Sequence, residues 1–167
     1  MSSKSRIDSV APVSRTSPSP TKQLAGFLDK YDPAIATRAR ASLAFLRRRL
    51  PTATELVYDN YNALAIGFSP GGRPSEAILS IAVYPRWVSL FFLQGATLPD
   101  PERRLRGRGN RVRHIVLNDA RELHLPAVQA LISTALATAK KPFDPNARRS
   151  LVIKSVSPKQ RPRRPTR

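Results

Sequence analysis

Residues 95 to 115, GATLPDPERRLRGRGNRVRHI, carry six arginines and three glycines. That combination suits an anion, because guanidinium groups make paired hydrogen bonds to phosphate or carboxylate and glycine lets backbone N–H groups come close. The anion-binding candidates are Arg103, Arg104, Arg106, Arg108, Arg111 and Arg113. A second candidate is the run YDNYN, in which Tyr58, Asp59, Asn60, Tyr61 and Asn62 unite two phenols and two amides around one carboxylate. It reads either as an Asx-type turn between strands or as a small polar site, since turns seldom need tyrosine at two positions. The third is the C-terminal stretch, where residues 140 to 167 hold ten basic residues and one acidic. Its candidates for nucleic-acid contact are Arg148, Arg149, Lys154, Lys159, Arg161, Arg163 and Arg164.

Other chemistry has little to work with. Cysteine is absent, which removes disulfides, thiolate metal ligands and cysteine nucleophiles together. No GxSxG elbow, HExxH helix, phosphate-binding P-loop or GxGxxG turn occurs, and the short GRG at Gly107 to Gly109 precedes a strand pattern rather than a helix. The acidic neighbours Glu55 with Asp59, Asp100 with Glu102, and Asp119 with Glu122 stand where turns and caps are expected. His114 alternates with Val112 and Val116 in a strand pattern that turns its ring toward a core, and His124 stands where the last helix begins. No catalytic residue, metal ligand set or cofactor is assigned on these grounds.

The net charge of +18 is unevenly spread: +3 over residues 1 to 22, +6 over 23 to 139 and +9 over 140 to 167. Long-range attraction to nucleic acid or another polyanion would therefore begin at the C-terminal tail. The excess of arginine over lysine, 22 to 7, fits bidentate phosphate contacts and fits equally a genome rich in arginine codons. No apolar run approaches the roughly 20 residues that cross a bilayer, so no membrane partner is expected, and the expected address is the cytoplasm.

The apolar spacing sets the elements that must position these residues. A helical pattern covers Gln23 to Lys30, and a stronger one runs from Pro33 to Leu50, where Ile35, Ala39, Leu43, Leu46 and Leu50 recur at helical spacing after an Asp32-Pro33 start. Five short strand patterns follow, ELVY, NALAIGF, AILSIAV, WVSLFFL and VRHIVL, joined by turns that favour antiparallel pairing. A last helix runs from Leu125 to Ala139. Asp100, Pro101 and Gly107 suggest a short capped helix over PERRLR. The expected fold is α+β, a mainly antiparallel sheet of about five strands with the N- and C-terminal helices packed on one face. Residues 1–21 read as a disordered leader, 22–141 as the domain, and 142–167 as a basic Pro/Arg-rich tail with an extended segment at 151–156.

The strings VYDNYNALAIGF, IAVYPRWVSLFFLQGATLPDP, GRGNRVRHIVL and LVIKSVSPKQRPRR resemble a branch of the YdhG-like bacterial domains over roughly residues 22 to 160. The resemblance implies an antiparallel sheet with helices. It carries over one arginine, Arg113, as part of the family pattern. Some relatives are described as frataxin-like iron chaperones, yet between residues 23 and 50, where an acidic ridge would lie, only Asp29 and Asp32 face six basic residues. Three functions stay open at this level: a binding or accessory protein for anionic ligands or nucleic acid, an iron-handling accessory protein, and an enzyme with a polar site at YDNYN.

Overall fold

Proline at the first helical position supplies a preset φ where no N–H is needed, and two of the helices exploit this before the sheet begins. The computed structural model describes residues 17–165. Helix α1, Pro20–Asp29, starts with the Ser19 hydroxyl accepting a hydrogen bond from the N–H of Lys22 at 3.2 Å. It begins earlier than the apolar pattern suggests, so residues 20 and 21 belong to the fold, while residues 1 to 16 of the expected leader lie outside the described residues. Helix α2, Pro33–Arg49, buries Ile35, Ala36, Ala39, Leu43 and Leu46 on one stripe. Asp32 precedes it without a side-chain cap, and its carbonyl accepts from Ala36 N–H instead.

Strands β1 (Thr54–Asp59), β2 (Leu64–Ser69), β3 (Leu79–Val83), β4 (Val88–Phe92) and β5 (Arg113–Leu117) form the expected antiparallel meander. Helix α3, Pro126–Ala137, follows a 3-10 turn at Ala120–His124. A sixth strand, β6 (Ser150–Val156), then adds to β1 in parallel, giving the order β5-β4-β3-β2-β1-β6. The fold is α+β, with six strands and a mainly antiparallel sheet. Within the stretch read as tail, the extended segment expected at 151–156 lies in this strand.

Directly paired residues share a face, so the register separates two surfaces. Val57, Ile66, Ile81, Leu90 and Ile115 face the helices, where they join Leu43, Leu46, Val128, Leu131 and Ile132 in one continuous core. Both helices therefore bury their stripes against the same side of the sheet, as two-layer packing requires. Leu151 and Ile153 bring β6 into that core from the edge. The opposite face carries Tyr58, Ala65, Gly67, Ser80, Ala82, Ser89, Phe91, His114 and Val116, and no helix among the described residues covers it.

His114 lies on that second face, contrary to the sequence expectation, because Ile115 and Leu117 take the core positions of β5. Its ring stacks on Phe91 with centroids 5.0 Å apart, and burial together with the nearby Arg106 cation holds its imidazole below the usual range. His124 meets Phe45 edge-on at 4.9 Å.

Two arginine–carboxylate pairs fasten β6 and its continuation to β1. Glu55 is fully buried and takes Arg47 of α2 at 2.8 Å and Arg149 at 3.0 Å. Asp59, at the other end of β1, is 1% exposed and takes Arg163 at 2.8 Å. Both carboxylates point to the helix side and are neutralised there.

Candidate functional site

The connection of β6 to β1 decides the site, because a parallel neighbour exits the sheet at the same edge as β1. Three segments therefore converge at one edge: the β1–β2 turn at residues 60–63, the β3–β4 turn at 84–87, and the chain after β6. Ser157 N–H donates to Asp59 O at 2.8 Å, Gln160 Nε2 to the same carbonyl at 3.2 Å, and Arg161 N–H to Tyr61 O at 2.9 Å. The last described residues thus form a strap across YDNYN.

Arg163 anchors that strap. Its guanidinium is buried, pairs with Asp59 Oδ1, donates to the carbonyls of Asn60 and Tyr61, and sits 5.6 Å from the ring centre of Tyr31. Tyr31 closes the network, its hydroxyl donating to Val83 O at 2.8 Å and accepting from Leu64 N–H at 3.2 Å. Burial pushes this phenol up to about 12, against the opposing pull of Arg163 and the Leu64 N–H. An unfolded tyrosine ionises near 10, so the folded chain holds its proton where the unfolded chain has lost it. Stability from this group is complete below pH 10 and is lost as pH rises toward 12, with a slope approaching about 1.4 kcal/mol per pH unit. Urea denaturation across that window should show a steeper decline for the native protein than for Tyr31→Phe.

YDNYN is accordingly divided rather than convergent. Asp59 turns to the helix side and Tyr58 to the uncovered face, while Asn60, Tyr61 and Asn62 form the turn. That turn borders an open trough of about 870 Å³ on the uncovered face of the sheet. Its floor is cut low by Ala65, Ser80 and Ala82, small residues at adjacent register positions of β2 and β3. Its walls are aromatic: Tyr61, Tyr84, Trp87 and Phe91. Tyr84 and Trp87 stack with ring centres 4.6 Å apart, and burial holds the Tyr84 phenol above its ordinary range. Arg86, Arg161 and Arg164 supply the charge, and no carboxylate lines the trough among the described residues.

The six loop arginines have different surroundings. PERRLR is not a helix: a turn at residues 101–102 leads into irregular backbone, and Arg106 forms an isolated bridge. The Asp100 carboxylate accepts from the N–H groups of Arg104 and Leu105 at 2.9 and 2.8 Å, and Arg103 takes a left-handed φ of 53°, which breaks a helical path. Gly107, at φ 121°, turns the chain so that Arg106 bridges to His114. Arg104 pairs with Glu102 at 2.9 Å, and Arg113 donates to the carbonyls of Gly109 and Val112. Arg111 lines a separate hollow beside Lys140 and Lys141, whereas Arg103, Arg106 and Arg108 point into solvent.

The tail candidates also divide. Arg149 and Arg163 neutralise buried acids, Arg161 and Arg164 line the trough, and Arg148, Lys154 and Lys159 are exposed. Sequence reasoning missed Arg86, Trp87, Tyr84 and the small-residue floor. Their signal was the alternation of Ala and Ser opposite the core positions of β2 and β3, next to a turn that reads only as YPR.

No His, Asp or Glu cluster of three or more that could hold a metal exists among the described residues, and no described helix is long and apolar enough to cross a membrane. Compared with models of protein families, with curated proteins and with solved structures, the chain matches none.

Proposed function

We propose that this chain is a cytoplasmic, YdhG-like binding or accessory protein, non-catalytic, whose ligand is anionic and is received in the open trough on the sheet. The observation that carries this reading is the lining: Arg86, Arg161 and Arg164 around a hollow with no carboxylate among the described residues. Three cations brought together without local neutralisation raise the potential of the hollow, and each guanidinium offers several donors to an oxyanion. The side chains of Arg161 and Arg164 make only long contacts at 3.4 Å, to Asn62 Oδ1 and Lys30 O. This moves the anion site from the 95–115 loop to the strap and trough, with Arg148, Lys154 and Lys159 adding long-range attraction. The iron-handling alternative has no donor cluster among the described residues to support it. The one carboxylate that YDNYN offers to an enzyme, Asp59, is already held by Arg163.

Trp87 is the sole tryptophan, so intrinsic fluorescence reports on the trough directly. Titration with inorganic polyphosphate should give a saturable change in that signal. Changing Arg86, Arg161 and Arg164 to glutamine should weaken binding about tenfold or more, while glutamine at Arg103, Arg104, Arg106 and Arg108 should leave most of it. The reverse ranking would place the site in the loop, and no saturable binding at low salt would reject the reading.

A further inference from the structure

The trough offers more than charge. Tyr61 is 52% exposed and Trp87 41%, and they are the only large aromatics left so exposed among the described residues. Both line the same hollow, one on each of two turns at the same edge of the sheet. Tyr84 covers one face of the Trp87 indole, which leaves the other face for a planar partner. The floor of Ala65, Ser80 and Ala82 leaves room above the sheet for a flat group to reach down between these rings.

We propose that the trough binds single-stranded nucleic acid, with unpaired bases stacked on Trp87 and Tyr61 and the phosphates held by Arg86, Arg161 and Arg164. This rests on the anion-binding reading above and specifies its ligand. Exposed aromatic rings beside arginines on an open sheet match the two surfaces of a nucleotide, since every base has a π-face and every linkage a negative charge. A duplex hides its base faces in the stack and presents only phosphates, so it cannot use the aromatic walls. Asn60 and Asn62 border the same hollow, where their amides can donate to or accept from base edges. At about 870 Å³ the hollow holds a short stretch of strand and is open to solvent for the chain to continue.

The test uses the full chain at near-physiological salt, with three labelled probes of equal length: oligo(dT), the corresponding abasic deoxyribose-phosphate strand, and a DNA duplex. Anisotropy gives affinity, and Trp87 fluorescence gives occupancy of the trough. Oligo(dT) should bind about tenfold or more tighter than the abasic strand and quench Trp87. Trp87→Leu and Tyr61→Leu should each reduce that preference with binding of the abasic strand unchanged, and Trp87→Phe should restore part of it. Circular dichroism of each variant should match the native spectrum. If the abasic strand binds as tightly as oligo(dT), or the duplex binds more tightly than either, base stacking is overturned while anion binding stands. If none of the three binds and polyphosphate does not either, both readings fall.

Discussion

Arg163→Ala is expected to lower the unfolding free energy by about 3 kcal/mol, near the lower end of what breaking a buried ion pair costs. The loss comes less from the vanished attraction than from the carboxylate left behind. Asp59 is 1% exposed, and its Oδ2 already lacks a hydrogen-bond partner. Without Arg163 its nearest cation is Lys30 at 3.8 Å, on a side chain that is half exposed. The variant also removes the guanidinium donors to the carbonyls of Asn60 and Tyr61. Chemical denaturation should show the loss, and limited proteolysis should show cleavage within residues 157–165 at protease levels that spare the native chain. The double variant Asp59→Asn with Arg163→Met should recover part of the stability, because no buried charge remains unpaired. A single variant as stable as the native protein would mean that the strap is not anchored through this pair.

The other end of β1 should behave differently, because Glu55 has two arginines. Arg149, 46% exposed, should contribute only about 0.5 kcal/mol after solvent screening, so Arg149→Met is nearly silent. Arg47 is 27% exposed and grips both carboxylate oxygens, and Arg47→Met should cost about 1 kcal/mol while Arg149 remains. The double variant should cost about 3 kcal/mol, well beyond the sum, since only then is a fully buried carboxylate left without a cation. Denaturation of the four proteins forms a double-mutant cycle. Simple additivity would show that Glu55 reaches water or another partner when one arginine is gone.

The elements that local spacing alone determined are those whose residues bury against a nearby surface. Ile35, Ala39, Leu43 and Leu46 recur at helical intervals, and the alternation through LAIGFS and LSIAV marks one face of each strand, so α2, β2 and β3 could be read directly. The α+β class followed from their order, because an apolar helix stripe and an apolar sheet face must cover one another. Reading PERRLR as a helix failed because Asp100 and Gly107 form loop closures as readily as helix caps, and the competing contact, Arg106 to His114, lies eight residues away in the chain.

Only the tertiary structure decided what the arginines do. In sequence Arg149, Arg161, Arg163 and Arg164 are four like charges in a proline-rich stretch, indistinguishable by composition. The parallel pairing of β6 with β1 separates them, since it delivers this stretch to the edge where the YDNYN turn and the Tyr84–Trp87 pair already stand. Arg163 turns inward to Asp59, 104 residues earlier, and is buried; Arg161 and Arg164 flank it and stay exposed at the trough. Such a division cannot be read from spacing, because a guanidinium's environment is set by the carboxylate or solvent it meets after the chain has closed on itself, and that partner has no local mark.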